Sequence, residues 1–333
     1  MTCGFTRLRE TPPTAPWWPG NRLRVCDRGS ARFLADTTGA GRADIVGLKP
    51  AKGAVTASSR GDGTFDDDER VLHPPTPTPN PADLWTLADM TGDGKPDAVL
   101  LCADGVRVSS QDGSGMFAPA GGWLAEKHPR FLVDTTGDGR ADIVGCHDDG
   151  VWISLQDEAG TFAEPLYVLD DFGTDQGWTS VEEHPRFLLR TVRDGQMDLI
   201  GFGPQGVVVS RGRGDGTFAP SQLVLNDFGH AQCWTGGKHL RFLTDVTGDG
   251  NPDIVGFGDA GGWVSHNRGD GRFDQAQLVC RGFGYDDDAG AWRVDRHPRF
   301  LADITGDGRV DIVGFGGPGV YVARNLFRRF RTR

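Results

Sequence analysis

Four stretches of this 333-residue chain set oxygen-bearing side chains at positions 1, 3, 5 and 9 of a D-x-T-G-D-G-x-x-D element. They are Asp89/Thr91/Asp93/Asp97, Asp134/Thr136/Asp138/Asp142, Asp245/Thr247/Asp249/Asp253 and Asp303/Thr305/Asp307/Asp311. Oxygens at this spacing, with glycine at position 6 for the tight bend and a main-chain carbonyl at position 7, can wrap a hard cation as the first part of an EF-hand loop does. Calcium is the metal they suit. The same aspartates can instead cap the N–H groups of a β-turn. Threonine at position 3 and the lack of a distal bidentate glutamate place any calcium affinity in the weaker range. Two more copies lack donors: Ala40 stands at position 5 of the first, and Arg190 and Arg193 stand at positions 1 and 4 of the fourth.

A second constellation recurs between these elements. Residues 170–186 (DDFGTDQGWTSVEEHPR), 226–241 (NDFGHAQCWTGGKHLR) and 281–299 (RGFGYDDDAGAWRVDRHPR) share an F-G bend, a tryptophan, and then a histidine and an arginine. An aromatic face beside fixed hydrogen-bonding groups is what a sugar needs, since its C–H face lies on the ring while its hydroxyls meet polar side chains. The same residues also read as scaffolding, with each tryptophan a spacer between repeats and each arginine ion-paired at a strand entry. Both readings stand at this point.

Signals for catalysis are thin. The chain has no G-x-S-x-G, no H-E-x-x-H and no phosphate loop, and repeated Asp and His residues single out no one centre. It reads as a non-enzyme. Three R-G-D tripeptides, at Arg60, Arg213 and Arg268, occupy the same hairpin of the repeat, where G-D-G is turn chemistry rather than an adhesion signal.

The elements that must position these residues follow from the repeat. Six copies lead with Asp36, Asp89, Asp134, Arg190, Asp245 and Asp303, spaced 53, 45, 56, 55 and 58 residues apart, and a period of this size signals an array or a propeller. Each copy offers four short β-rich runs: R-F-L, D-I-V-G-F-G, an alternating run such as GVWISLQ, and, after a G-D-G hairpin, a run such as QLVLNDFG. The expectation is an all-β, six-bladed β-propeller of four-stranded antiparallel blades. It forms one domain over residues 1–333, with repeats starting near 31, 84, 128, 184, 239 and 297. The last repeat lacks its fourth run, so the N-terminal segment 4–10 is expected beside 317–327 to close the ring. The proline-rich stretch 73–81 predicts an irregular edge after the first repeat.

Composition agrees with a turn-rich globular chain: 37% of residues are hydrophobic and 50 are glycine. A formal charge of −11 argues against a nucleic-acid partner. The tail 324–333 carries five arginines and reads as a solvated end. No stretch reaches membrane-spanning length and the N-terminus lacks the apolar core of a secretion signal, which predicts a chain that is cytoplasmic or released without a signal peptide. Cys3, Cys26, Cys102, Cys146, Cys233 and Cys280 form no C-x-x-C pair and read as free thiols.

The pattern "NDFG…W…H(P)RFL.D.TGDG.(A)DIVGFG…V(W)VS…GDGTF" resembles FG-GAP/VCBS-type repeat propellers, and more closely the Psathyrella velutina lectin-like family of fungal lectins. That resemblance spans nearly the whole chain. It implies recognition of terminal N-acetylglucosamine in pockets between neighbouring blades, and calcium in the D-x-T-G-D-G loops. Carried over by position, the implied sugar sites are Asp171/Trp178/His184/Arg186, Asn226/Asp227/Trp234/His239/Arg241 and Tyr285/Trp292/His297/Arg299. The linker at 117–130 keeps Trp123, His128 and Arg130 without the D-F-G strand, 66–88 keeps only Trp85, and the first repeat is preceded only by Trp17, Trp18 and Arg32, so fewer than six sites are expected to work. The function expected is a multivalent glycan-binding lectin. The alternative is a structural or targeting propeller, as in an accessory module of a secreted enzyme or toxin.

Overall fold

A computed structural model describes residues 6–7, 32–35, 37–38, 40, 44–49, 53–60, 65–66, 70–72, 84–88, 97–102, 105–108, 122–193, 195–305, 309–317 and 319–327. The β-branched and aromatic runs form strands and the glycine-aspartate clusters form the turns between them. The first sheet holds Arg32–Ala35, Asp44–Lys49, Gly53–Ala57 and Arg70–Leu72, and the second holds Leu84–Ala88, Asp97–Cys102 and Gly105–Val108. The third holds Arg130–Val133, Asp142–Cys146, Val151–Ser154 and Leu166–Leu169; the fourth, Arg186–Leu189, Asp198–Gly203, Gly206–Ser210 and Gln222–Leu225. The fifth holds Leu240–Thr244, Asp253–Gly258, Gly261–Ser265 and Gln277–Cys280, and the sixth holds Arg299–Ala302, Asp311–Gly316, Gly319–Ala323 and Thr6–Arg7. All pairings are antiparallel, and each sheet is a meander except the sixth, whose outer strand comes from the N-terminal segment. A register shift bends the outer edge of three sheets, at Val151/Trp152, Val207/Val208 and Gly262/Trp263.

The expectation of six four-stranded blades closed into a ring is corrected by this pairing. Among the described residues five sheets have four strands and the second has three, each ladder stays within its own sheet, and none closes into a ring. The physical reason lies at the sheet ends. Phe172, Phe228 and Phe283 take φ of 66°, 59° and 62°, which turns the chain off the ladder after the outer strands of the third, fourth and fifth sheets. The N-terminal segment does pair where expected, Thr6 opposite Val322 and Arg7 opposite Tyr321, but this adds a two-residue strand to the sixth sheet rather than closing a ring. The stretch 73–81 lies outside the described residues.

The chain groups into two compact units, one of Met1–Pro12, Gln176–Arg213 and Phe218–Arg333, the other of Pro13–Asp175 and Gly214–Thr217. The first unit contains the fourth, fifth and sixth sheets. Its core joins Ile200, Phe202, Val207, Phe228, Trp234 and Ile254 in one cluster and Phe257, Phe283, Trp292 and Ala323 in another. The middle strands Asp198–Gly203 and Asp253–Gly258 are buried along their whole length, which is why they read as unbroken apolar runs rather than alternating ones. The second unit contains the first three sheets, with a cluster of Val99, Trp123, Ala141 and Ile143. Cys146, Cys233 and Cys280 form no disulfide. No helix among the described residues is long and apolar enough to cross a membrane.

Candidate functional site

Each linker leaves an outer strand through the F-G bend, makes a short turn, and returns through H-x-R into the next sheet. Its tryptophan lies on glycine. A Cβ at Gly201 would stand 2.4 Å from the Trp178 ring, one at Gly256 2.5 Å from Trp234, and one at Gly314 2.6 Å from Trp292. The first glycine of each G-F-G run is therefore glycine because an indole covers it. Trp178, Trp234 and Trp292 are only 2%, 7% and 7% exposed, as the spacer reading requires.

Histidine and arginine complete the same frame. The backbone N–H groups of Leu124, Thr179, Thr235 and Arg293 donate to Nδ1 of His128, His184, His239 and His297, at 3.0 to 3.1 Å. An Nδ1 that accepts carries no proton, so in the neutral ring Nε2 is the donor. His239 Nε2 donates to Asp259 Oδ1 and His128 Nε2 to Asp148 Oδ1, both at 2.9 Å. His184 has no such acid, because Pro204 follows Gly203 where Asp259 follows Gly258, and its buried Nε2 finds no partner among the described residues. Burial lowers the His184 pKa to about 4; Glu183 pulls the other way, and Arg241 and Arg186 add to the depression. Arg241 donates from Nη1 to the Phe228 carbonyl at 3.2 Å and from Nη2 to those of Glu182 and Glu183 at 3.3 and 2.9 Å. Arg299 Nη1 likewise meets the Phe283 carbonyl at 2.9 Å. Burial lowers both guanidinium pKa values to about 10, so both remain charged at neutral pH.

What the linkers leave accessible is polar. His230 Nδ1 lies 2.7 Å from Glu183 Oε1, and Glu183 Oε2 accepts the Gly236 N–H at 2.9 Å. Partial burial pushes the Glu183 carboxyl up, but the Gly236 N–H and His230 outweigh it and hold it below the usual carboxylate range. In the adjoining linkers, Lys238 Nζ stands 4.7 Å and the Arg293 guanidinium 3.8 Å from the centre of the half-buried Tyr285 ring. Tyr285 also lies 6.5 Å from His239, whose partner Asp259 is exposed. Asn226 accepts from Gln232 at 2.7 Å, and Asp227 accepts the Phe228 N–H at 2.6 Å. The implied group Asp171/Trp178/His184/Arg186 divides between the two units: Asp171, which accepts the Phe172 N–H at 2.6 Å, belongs to the second.

The sequence reading passed over Glu183, His230, Lys238, Asp259 and Arg293. A signal existed for Asp259. His128 with Asp148 and His239 with Asp259 repeat one separation of 20 residues.

The aspartate loops bind their own backbone. Asp134 accepts the N–H groups of Thr136, Gly137, Asp138 and Gly139, and Asp245 those of Thr247, Gly248 and Gly250. Partial burial raises both carboxyls, but these N–H groups prevail and hold them below the ordinary range. Asp138 engages Arg140, and Asp249 accepts the Asn251 N–H. Position 9 has a different task. Asp142 is buried and ties Thr135 in the turn to the Gln156 N–H beyond the next strand; Asp253 ties Val246 to Asn267, and Asp311 ties Ile304 to Asn325. Asp44 and Asp198 do the same in the two repeats whose loops lack donors, so this residue is a structural tie. The cation donors that fit are thus positions 1 and 5, with position 9 turned into the sheet. Asp89, Asp93 and Asp307 lie outside the described residues; Asp97 begins the strand Asp97–Cys102, and Asp303, just after Arg299–Ala302, accepts the Thr305 N–H at 3.1 Å.

Among the described residues, His128, His147 and Asp148 alone bring three metal-ligating atoms within 4.8 Å of one another. His128 Nδ1 accepts the Leu124 N–H, so its Nε2 holds the proton shared with Asp148 and has no lone pair for a metal. The group is a hydrogen-bonded His128–Asp148 dyad beside the His147 ring.

An FG-GAP-like repeat matches residues 245–314. A structure of an Agrocybe aegerita lectin, solved for its specific recognition of non-reducing terminal N-acetylglucosamine, is 40% identical, with a TM-score of 0.80 over 89% of this chain and 77% of that one. The chain therefore belongs to the Agrocybe aegerita-type family of fungal lectins. The Photorhabdus luminescens Tc holotoxin pore shares the fold alone, at 16% identity and a TM-score of 0.54, over 88% of this chain and 14% of that one. No curated protein sequence matches.

Proposed function

We propose that this chain is a non-catalytic, multivalent lectin for glycans ending in N-acetylglucosamine. The observation that carries this reading is its 40% identity to the Agrocybe aegerita lectin over 89% of its length. The arrangement of the linkers supports a division of labour. Tryptophan, the arginine and the buried histidine hold the frame, while the accessible Tyr285, Lys238 and Asp259 and the Glu183/His230 pair supply donors and acceptors for sugar hydroxyls and the acetamido group. Solvent competes for such hydrogen bonds, so one site binds a monosaccharide at roughly high-micromolar to millimolar Kd. Several sites on one chain raise the avidity for clustered glycans.

Calcium is part of the proposal in a restricted form. Asp134 with Asp138, and Asp245 with Asp249, would supply carboxylate oxygens at positions 1 and 5, without the position-9 aspartate, and bind weakly.

The test is agglutination of beads coated with N-acetylglucosamine-terminated glycoprotein, with galactose-capped glycoprotein as control. Agglutination of the first, inhibited by free N-acetylglucosamine, is expected. Equal behaviour on both coatings would remove the sugar reading and favour a structural module.

A further inference from the structure

Between the fifth and sixth sheets lies a cavity of about 380 Å³, walled by Val246, Val255, Val264, Val279, Leu301 and Ile312. It opens at the opposite strand ends from the linkers. Val246 and Val310 precede Asp253–Gly258 and Asp311–Gly316, and His266 and Asn325 follow Gly261–Ser265 and Gly319–Ala323, whereas the tryptophans cover Gly256 and Gly314 towards the other ends. Sugar recognition at the linkers makes no use of it.

Three features give it the chemistry of a binding site rather than a packing gap. Its wall is almost wholly aliphatic, and its volume falls in the range that holds a small ligand. Its rim is fixed: Asn325 accepts the Phe327 N–H at 2.9 Å, donates from Nδ2 to the Val246 carbonyl at 2.8 Å and gives its own N–H to Asp311 at 2.7 Å. Its polar groups are concentrated at that rim and lean positive. Arg324 is exposed and makes no ion pair among the described residues, and His266 packs 5.3 Å from the Phe327 ring. His266 Nδ1 is buried without a hydrogen-bond partner. Asp253 stands 3.7 Å from it and both Asp253 oxygens accept backbone N–H groups; Asp253 foremost, with the charges of Asp274 and Asp249, draws the imidazole pKa upward against the effect of burial. An aliphatic slot with a guanidinium and an imidazole at its mouth complements a molecule with an apolar body and an anionic head.

We propose that the cavity between the fifth and sixth sheets binds a small amphiphilic carboxylic acid, its hydrocarbon among Val255, Val264, Val279 and Ile312 and its carboxylate at Arg324 and His266.

The test uses the intact chain and decanoate, followed by displacement of the fluorescent aromatic anion 1-anilinonaphthalene-8-sulfonate, with decyltrimethylammonium as the matched cation. The expected result is one saturable probe site per chain, displaced by decanoate at least tenfold more effectively than by the cation. Val279→Phe, which fills the slot, should abolish displaceable fluorescence. Arg324→Ala, an exposed change that leaves the wall intact, should reduce the anion preference at least threefold, so the test survives if Val279→Phe does not fold. Absence of a saturable site in the wild type would overturn the proposal. Equal displacement by the anion and the cation, or unaltered behaviour of folded Val279→Phe, would overturn it too.

Discussion

The Trp234 indole lies so close over Gly256 that a Cβ there would stand 2.5 Å from its ring, and the Phe228 ring would meet the same carbon at 2.7 Å. A tryptophan held in this way is part of the core. Trp234→Ala should therefore lower stability by about 3–5 kcal/mol, the usual cost of emptying a buried aromatic site, and Gly256→Ala by about 1–3 kcal/mol through overpacking. Chemical denaturation of the two variants checks this. An unchanged midpoint for Trp234→Ala would return the indole to a surface role.

His184 predicts a pH dependence. Its folded pKa of about 4 lies below the unfolded value near 6.5, so between these limits the unfolded chain takes up a proton that the folded chain does not. Stability therefore falls as pH drops from about 6.5 towards 4, and this contribution is level above 6.5. His184→Gln keeps an acceptor for the Thr179 N–H and removes the titration. Melting temperatures of wild type and variant should diverge across that window, the wild type falling more steeply. Parallel curves would contradict the assignment.

The arginines of the linkers should not tolerate lysine equally. Arg241 meets three backbone carbonyls, whereas Arg299 meets the Phe283 carbonyl and leaves Nε and Nη2 without partners among the described residues. One ammonium cannot reach what the guanidinium fork reaches, so Arg241→Lys should cost about 2–3 kcal/mol and Arg299→Lys clearly less. Urea midpoints that rank the two in the reverse order would contradict the role of Arg241 in holding the Phe228, Glu182 and Glu183 carbonyls.

The aspartate loops separate two roles by position. Asp253→Asn should lower the melting temperature with or without calcium, because Val246 and Asn267 both depend on that carboxylate. Asp249→Asn should leave the calcium-free melting temperature nearly unchanged and reduce the stabilisation given by millimolar calcium. A wild type indifferent to 10-fold more calcium than about 1 mM, the weak end of such sites, would leave the loops as turn caps only.

Legibility in the sequence followed periodicity. The D-I-V-G-F-G strands and G-D-G hairpins recur, so sheet composition and the landing place of Thr6–Arg7 could be read from spacing. That no sheet closes into a ring was not legible, because ladders turn off at Phe172, Phe228 and Phe283, whose positive φ spacing alone does not show. Trp178, Trp234 and Trp292 were found by pattern, with a sugar-facing and a spacer role both open. An aromatic residue beside histidine and arginine looks alike whether it faces a sugar or a glycine, and only the facing strand decides. Glu183 and His230 escaped because their pairing joins residues 47 apart that share no repeat position.

The most direct measurement is equilibrium binding of the wild-type chain and of a Tyr285→Ala, Asp259→Asn variant to an immobilised N-acetylglucosamine-terminated glycan, with free N-acetylglucosamine as competitor. The linker edges, not the indole faces, are proposed to meet the sugar. The expected result is competable binding by the wild type and at least a tenfold loss of avidity in a variant whose melting temperature is near that of the wild type. Absence of competable binding by the wild type, or full binding by the folded variant, would contradict this account.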